Sequence, residues 1–324
     1  MALQNTDQKL LETSKIACLG YGAQGEAEIT NLLKSGVKFT LGLKPDGRSA
    51  AKAKANSVPF VSIGEALESA DTVIMNLSDQ SQKDVYEKQI RGRTNIRRLV
   101  FAHGFNTHFG LIPVEKDGPA HLLIAPKGAA SGLKEFYGTP SALPAILSVR
   151  PQEKLAAEKP WAEAFARAIG SHPKGLIWAD FKDETECDLF SEQALLCGGV
   201  SSLLRTTYDL LVEEGYSPET AYFETLFELK LIVDLIWREG ITGMRGRISP
   251  TARYGDITRG DRIIDASVKE KMRAVLKEVQ SGKFAKEFLV KLESPEYAAL
   301  AESQASHPIE TMGAKLRDRL KDRN

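Results

Sequence analysis

Four carboxylates in the second half of the chain lie in two pairs at helical spacing. Asp188 and Glu192 are four residues apart, as are Glu224 and Glu228. A spacing of four puts both acids of a pair on one face of a helix. The same faces continue into apolar residues, namely Leu195, Leu196, Leu231, Ile232 and Leu235. Such faces are normally packed, so we expect the acids to be buried. Buried carboxylates require cations, and hard divalent cations prefer oxygen ligands.

Two further reactive side chains follow predicted strands in the first half. His103 ends the run L-V-F-A-H, and Lys127 ends the run I-A-P-K. In an open α/β sheet the C-terminal ends of the strands line the ligand crevice. A histidine and a lysine there are candidates for catalysis, and Gly104 would allow a ligand to approach closely. His108, further along the same turn, is interpreted as a surface or packing histidine.

A glycine-rich run predicts a dinucleotide site. In K-I-A-C-L-G-Y-G-A-Q-G-E-A, Gly20, Gly22 and Gly25 form G-x-G-x-x-G between an apolar strand and a helix, which is the context the motif requires. The first glycine allows the tight turn, the second lets the backbone approach a pyrophosphate, and the third allows helix and strand to pack closely. Backbone N–H groups at the helix N-terminus then receive the phosphate charge.

The end of the second predicted strand indicates which nicotinamide cofactor binds. NAD enzymes carry an acid there to hold the ribose hydroxyls. This chain reads G-L-K-P-D-G-R-S, in which Lys44, Arg48 and Ser49 are suited to a 2′-phosphate. NADP is therefore favoured, although Asp46 in the same loop weakens that preference.

Alternating strands and helices must position the first-half residues. Strands are predicted at 16–19, 38–41, 72–76, 98–102, 122–125 and 145–149, with a possible last strand at 175–179. This alternation predicts a parallel sheet with right-handed crossovers. After about residue 180, apolar residues recur at three and four, which predicts helices at 184–197, 200–214, 218–237, 262–281, 284–291 and 309–321. We therefore predict an α/β protein with a Rossmann-type domain (1–181) and an all-α domain (182–324).

Composition narrows the class of protein. The formal net charge of the 324 residues is zero, which argues against a nucleic-acid partner bound by bulk charge. No apolar run approaches the ~20 residues that a membrane-spanning helix needs, and residues 1–14 lack a signal-peptide core. The three cysteines have no C-x-x-C spacing. We expect a cytoplasmic protein with reduced thiols.

Strings distributed over nearly the whole chain resemble ketol-acid reductoisomerase in its short (class I) form. They are G-Y-G-x-Q-G, F-A-H-G-F-N, A-P-K-G, E-T-E-x-D-L-F-x-E-Q-x-x-L-C-G-G, G-Y-x-P-E-x-A-Y-F-E and E-L-K-L-I-V-D-L-I. The resemblance implies that 2-acetolactate is converted to 2,3-dihydroxyisovalerate by alkyl migration and hydride transfer, in valine and isoleucine synthesis. It also implies NADPH, two Mg²⁺ ions, a knotted helical domain, and a homodimer or higher homo-oligomer with shared active sites.

The resemblance assigns roles residue by residue. The Mg²⁺ ligands would be Asp188, Glu192, Glu224 and Glu228, with Asp188 bridging the ions and Glu228 or Glu192 relaying a proton. His103 matches the active-site histidine, Lys127 a lysine near the metals, and Ser249 a serine that contacts the substrate. Glu224, Glu228 and Ser249 would reach the partner's site. The expected cofactor contacts, including those of the glycine-rich run, are Gly20, Tyr21, Gly22, Ala23, Gln24, Gly25, Lys44, Gly47, Arg48, Ser49, Asp79, Gln82 and Ala130.

Several residues depart from the family pattern around these positions. Ala23 replaces a serine, 128–131 read G-A-A-S instead of G-P-G-H, Phe227 replaces a histidine, and 249–253 read S-P-T-A-R instead of S-N-T-A-E. These changes leave open a divergent paralogue that acts on another 2-hydroxy-3-keto acid. A simple NADPH-dependent 2-keto acid reductase and a non-catalytic cofactor-binding protein are further alternatives.

Overall fold

The computed structural model describes residues 4–321. The chain forms two compact units, Met1–Thr185 (unit 1) and Glu186–Asn324 (unit 2). Unit 1 contains one eight-stranded sheet in the order β3-β2-β1-β4-β5-β6-β7-β8. Its strands are β1 (Ile16–Leu19), β2 (Thr40–Leu43), β3 (Val61–Ser62), β4 (Thr72–Met75), β5 (Arg98–Phe101), β6 (Ala120–Pro126), β7 (Ala145–Arg150) and β8 (Leu176–Trp178).

The predicted parallel sheet is confirmed except at one pairing, between β6 and β7. β7 runs antiparallel to β6, with Leu122 opposite Val149, whereas the other neighbouring strands are parallel. An apolar run that is buried on both faces has the same pattern in either direction, so the sequence pattern does not indicate strand direction. The two-residue β3 was also missed, because so short a strand has no detectable alternation.

Helices cover both faces of the sheet. They are α1 (Asn5–Glu12), α2 (Ala23–Ser35), α3 (Arg48–Ala55), α4 (Ile63–Glu68), α5 (Asp79–Val85), α6 (Phe105–His108), α7 (Ala130–Glu135) and α8 (Leu155–Ala168). One core includes the stacked rings of Trp161 and Phe165, whose centroids are 5.1 Å apart, and a second contains Phe101. The unpredicted α1 is held by Arg167, which donates two hydrogen bonds of 2.8 Å to Asp7.

Unit 2 is helical. The helices are α9 (Phe181–Ser191, which begins in unit 1), α10 (Gly198–Glu213), α11 (Pro218–Tyr222), α12 (Glu228–Arg247), α13 (Pro250–Ile263), α14 (Ala266–Gln280), α15 (Lys283–Lys291), α16 (Pro295–Ala305) and α17 (Pro308–Lys321). The sequence missed α13 and α16. Both begin at a Ser-Pro pair whose serine caps the helix, Ser249 toward the N–H of Ala252 and Ser294 toward that of Tyr297. This start signal was available in the sequence.

The core of unit 2 is small. Five buried residues, Tyr208, Ala221, Tyr222, Ile309 and Leu316, form its cluster between α10, α11 and α17. Large apolar side chains elsewhere in the unit face solvent, with Trp237 84% and Val290 79% exposed. Within residues 4–321, no helix is both long and apolar enough to cross a membrane.

Candidate active site

The three glycines of the turn between β1 and α2 have different surroundings. Gly20 has a φ of +99°, and a Cβ atom there would lie 2.2 Å from the Asn76 carbonyl oxygen, so only glycine fits. A Cβ on Gly25 would lie 2.8 Å from the carbonyl oxygen of Gly20. A Cβ on Gly22, the N-cap of α2, would meet nothing within 4 Å. The turn thus packs tightly beneath and is open above, as a phosphate cradle requires.

The side chains of the same turn differ in their exposure and in their hydrogen-bond partners. Tyr21 is buried in the core, and its hydroxyl accepts a hydrogen bond from Asn56 at 3.3 Å. Ala23 is exposed as the first residue of α2, whereas Gln24 is half-buried and donates to Glu28 at 2.9 Å. Tyr21 can therefore offer a cofactor mainly its backbone, whereas Ala23 and Gln24 lie at the helix N-terminus.

Glu26 carries an ion-pair network beside the turn. Its carboxylate contacts Lys134 of α7 at 2.8 Å and also pairs with Lys52 of α3. Hydrogen bonds from Lys134 and then Lys52 lower the pKa of Glu26. The network joins the first turn of α2 to α3 and α7.

The loop after β2 presents the predicted adenosine-side residues. The N–H of Gly47 donates to the carbonyl of Lys44 at 3.0 Å, and Gly47 then caps α3. Lys44 and Arg48 are exposed, Ser49 is partly exposed, and Asp46 is exposed in the same turn. The structure therefore places both the cations that favour a 2′-phosphate and the opposing acid at this edge.

Asp79 and His103 meet where β4 and β5 end. The Nδ1 atom of His103 lies 3.9 Å from a carboxylate oxygen of Asp79. Asn106, which the sequence analysis did not select, donates to the carbonyl of Asp79 and to Gln82 Oε1, each at 3.1 Å. Gln82 is buried and donates to the carbonyl of Leu77 at 3.0 Å. Gln82 thus holds the end of β4, while Asp79 and His103 remain partly exposed.

Lys127 forms an ion pair with an acid that sequence reasoning overlooked. Its Nζ atom lies 2.7 Å from the Glu184 carboxylate, whose side chain is 1% exposed, while the lysine is 30% exposed. Glu184 lies four residues before Asp188, and this i,i+4 relation to a predicted ligand was the available signal. Ala130 begins α7 just beyond Lys127 and is partly exposed.

Position 104 requires glycine for a different reason from the predicted one. A Cβ atom there would lie 2.1 Å from the Thr185 hydroxyl and 3.1 Å from the Phe181 ring. The close approach is therefore made by α9 of the same chain, not by a ligand.

The predicted burial of the four carboxylates is wrong for the single chain. Glu192, Glu224 and Glu228 are exposed, and Asp188 is half-buried. Across residues 4–321, no three histidine, cysteine, aspartate or glutamate side chains are grouped so that they could hold a metal ion. A helical pattern shows which residues share a face, but not whether the partner of that face belongs to the same chain.

Each acid pair coincides with a π-helical turn. Glu192 begins the turn Glu192–Leu196, and Glu224 lies in the turn Phe223–Phe227, which ends just before Glu228. Such turns occur frequently at functional sites. Ser249 is exposed at the start of α13, followed by Pro250. The structure thus places each expected residue, but does not assemble the four acids within one chain.

Comparisons with known proteins identify the family. Residues 10–175 match the model described as acetohydroxy acid isomeroreductase, NADPH-binding domain. Residues 181–322 match ketol-acid reductoisomerase, C-terminal domain. The chain belongs to the ketol-acid reductoisomerase family. It is a nicotinamide-dependent ketol-acid reductoisomerase of branched-chain amino acid biosynthesis.

Solved structures agree with this family. An NADH-preferring ketol-acid reductoisomerase from an uncultured archaeon is 36% identical, with 98% of each chain covered and a TM-score of 0.88. A semialdehyde dehydrogenase NAD-binding protein from Cupriavidus necator is 17% identical, with 81% of this chain and 99% of that chain covered and a TM-score of 0.57. A 1-pyrroline-5-carboxylate reductase from Streptococcus pyogenes is 14% identical, with 83% and 98% covered and a TM-score of 0.54. The last two show the fold alone.

Proposed function

We propose that this ketol-acid reductoisomerase converts 2-acetolactate to 2,3-dihydroxyisovalerate with NADPH and two Mg²⁺ ions, and that two copies of the chain build each active site. One observation carries the proposal of shared sites. Two acid pairs lie on exposed faces of unit 2, each beside exposed leucines, and do not form a metal site within residues 4–321.

The donor set fits Mg²⁺. Asp188, Glu192, Glu224 and Glu228 offer only carboxylate oxygens, which are the ligands this ion takes. When bound, the ions and NADPH would supply Lewis-acid polarisation of the substrate ketone and a hydride. The carboxylates would hold the ions, and Glu228 or Glu192 would accept and return the proton of the substrate hydroxyl.

Side chains of unit 1 would supply a positive charge and would orient the substrate. The buried carboxylate of Glu184 holds the ammonium group of Lys127 at 2.7 Å, and so aims a cation from the end of β6. Asp79 lies 3.9 Å from His103 Nδ1 and favours the imidazole orientation seen at the end of β5. Both side chains can orient a carboxylate substrate, since Lys127 and His103 can each donate a hydrogen bond.

The second copy would cover the apolar surface around the acids. Leu195 and Leu196 follow Glu192 and are 62% and 60% exposed, and Leu231 follows Glu228 and is 50% exposed. Contiguous exposed apolar surface is typical of an interface. A symmetric dimer would bury these residues and place the acids of one copy near those of the other.

The assignment of NADPH is supported by charge. Lys44 and Arg48 are exposed where the adenosine ribose would lie, and both suit a 2′-phosphate. Because the similar archaeal enzyme prefers NADH, the ratio of kcat/KM for the two cofactors is the deciding measurement. We expect Arg48→Ala to lower the preference for NADPH about tenfold, corresponding to about 1.4 kcal/mol, whereas Lys54→Ala at the other end of α3 leaves it unchanged.

The reaction is tested by following NADPH absorbance with purified protein, 2-acetolactate and Mg²⁺. We expect turnover that EDTA abolishes and Mg²⁺ restores. The ketone that follows migration, 3-hydroxy-3-methyl-2-ketobutyrate, tests reduction by itself. Turnover of that ketone without turnover of acetolactate would contradict the proposal and indicate a simple 2-keto acid reductase.

A matched pair of variants separates metal chemistry from cofactor binding. Glu228→Gln removes one proposed ligand and should abolish acetolactate turnover while NADPH still binds. Glu213→Gln makes the same change on the exposed part of α10 and should alter neither. If Glu228→Gln keeps full activity, Glu228 is not a ligand.

The altered residues near Ser249 support one alternative substrate class. The Ser249 hydroxyl accepts a hydrogen bond from the Ala252 N–H at 3.1 Å, with Pro250 at the first helical position. The exposed Arg253 adds a cation in the same turn. These features would suit a 2-hydroxy-3-keto acid with an additional negative charge. Faster Mg²⁺-dependent turnover of such an acid than of 2-acetolactate would favour the paralogue.

A further inference from the structure

Glu28 is a fully buried carboxyl group beneath the glycine-rich turn. It lies one helical turn beyond Gln24 on α2 and is 2% exposed. One carboxyl oxygen accepts a hydrogen bond from Gln24 Nε2 at 2.9 Å, and the other lies 2.6 Å from Asn76 Nδ2. Its hydrogen-bond partners are therefore amides rather than cations, unlike those of Glu26 on the solvent side of the same helix.

Both partners of Glu28 lie at the glycine-rich turn. Gln24 is in the first turn of α2, where a pyrophosphate would lie. Asn76 follows β4, and the carbonyl of Asn76 is the atom that a Cβ on Gly20 would strike at 2.2 Å. A Cβ on Gly25 would lie 3.2 Å from the Asn76 side chain. Glu28 thus links the helix that receives the phosphates to the residue on which the turn rests.

The surroundings of Glu28 favour an uncharged group. Desolvation raises the pKa of Glu28, although hydrogen bonds from Asn76 and Gln24 oppose the shift. A separation of 2.6 Å is short for an N–H···O bond but ordinary for O–H···O. The Oδ1 atom of Asn76 is buried without a hydrogen-bond partner. Both carboxyl oxygens of Glu28 are therefore held by amide donors at a site that excludes water.

We infer that Glu28 is a positioning residue for the nicotinamide cofactor, a buried hydrogen-bonding group that orders Gln24 and Asn76 around the glycine-rich turn. This inference rests on the cofactor class of the proposed function, not on its substrate. Glutamine has the same shape and can accept from one amide and donate to the other.

The test compares Glu28→Gln with Glu28→Leu by direct titration of NADPH, followed by cofactor fluorescence in the absence of substrate. Glu28→Gln should bind NADPH within about threefold of the starting protein. Glu28→Leu fills the space but leaves both amides unpaired, and should weaken NADPH binding at least tenfold. Equal affinities of all three proteins, or equal losses in both variants, would overturn the inference.

Asn31→Leu is the control for a merely structural role. Asn31 is buried on the same helix and donates to the carbonyls of Leu133 and Ile169, each at 2.8 Å. This variant should lower the melting temperature of the apo protein without weakening NADPH binding more than about threefold. If Asn31→Leu weakens binding as much as Glu28→Leu does, the effect is one of general stability and the inference fails.

Asn76→Ala tests the same link if Glu28→Leu does not fold. It removes the other partner of Glu28 at a half-buried position, and should weaken NADPH binding while the protein stays folded. Unchanged affinity in this variant would contradict the inference. Because all readouts are cofactor binding and apo stability, a protein that binds NADPH but does not turn over acetolactate would refute the proposed substrate and leave the role of Glu28 intact.

Discussion

The two units bury their apolar faces to very different degrees. In unit 1, helices cover both faces of the sheet, and the two cores include large side chains such as Trp161, Phe165 and Phe101 with at most 1% exposure. In unit 2, the cluster around Tyr208 contains five buried residues, while Trp237 and other large apolar residues face solvent. Amphipathic helices occur in both units, but most of the exposed large apolar residues lie in unit 2. Unit 2 is therefore the part whose stability should depend on a second copy.

The candidate site residues of the two units differ in a similar way. The candidate residues of unit 1 have partners in that unit, as Lys127 has in Glu184 and His103 in Asp79. The carboxylates of unit 2 share their exposed faces with unburied leucines. Cofactor binding should accordingly be a property of one copy, and metal-dependent turnover a property of the assembly.

The largest effect should come from placing a charge on the exposed face of unit 2. Leu231→Arg should prevent association and abolish measurable acetolactate turnover, because a buried unpaired charge at an interface costs several kcal/mol. NADPH should still bind. Light scattering gives the oligomeric state, and absorbance the turnover.

Leu33→Arg is the matched control in unit 1. Leu33 of α2 is 55% exposed, close to the 50% of Leu231, so it should tolerate the charge. If both variants stay associated and active, the proposed interface is wrong.

Truncation of a core ring should have the next largest effect. Phe165→Ala removes a ring that stacks on Trp161 and should destabilise unit 1 by about 3–5 kcal/mol, independently of protein concentration. Trp237→Ala removes an exposed ring of unit 2, and its effect on the melting temperature should grow as the protein is diluted. Thermal unfolding at several concentrations distinguishes the two, and identical concentration dependence would contradict the comparison.

Lowering the pH should reduce the stability of unit 1, because this unit contains a buried histidine. His121 is fully buried on β6, its Nδ1 lies 3.0 Å from the Thr107 hydroxyl, and burial lowers its pKa from 6.5 to about 4. The unfolded chain therefore binds a proton between pH 6.5 and 4 that the folded chain does not, so stability falls as the pH drops through this window. The loss from this group should be about 2 kcal/mol between pH 7.5 and 5.

Hydrogen exchange of the sheet amides measures this loss. His121→Gln removes the titrating group, and should flatten the pH dependence even though it lowers stability at pH 7.5. An unchanged acid response in His121→Gln would show that other groups cause it.

The smallest effects should come from removing a helix-capping serine, and they should be equal in the two units. Ser62 caps α4 of unit 1, and Ser294 caps α16 of unit 2, each by accepting a backbone N–H bond. Replacing either serine with alanine should cost about 1 kcal/mol in its own helix, measured by hydrogen exchange of the first turn. Clearly unequal losses would mean that local capping, and not only tertiary burial, differs between the units.

Much of unit 1 could be predicted because its signals are local. The strand from Ile16 to Leu19 and the glycine-rich turn follow from a continuous apolar run and from three glycine positions. The direction of β7 could not be predicted, since its apolar pattern is the same in both directions. Glu184 and Asn106 were missed because their partners, Lys127 and Gln82, are distant in the sequence.

In unit 2, the sequence by itself determined the helical class, the pairing of the acids at a spacing of four, and the family. It did not determine whether the acidic faces are buried, because periodicity reports the direction of a side chain relative to its helix and nothing about what covers it. Only the tertiary structure decided that Glu192, Glu224 and Glu228 remain exposed and that Glu28 is buried beneath the cofactor turn. Burial depends on contacts between distant segments, and those contacts form only when the chain folds.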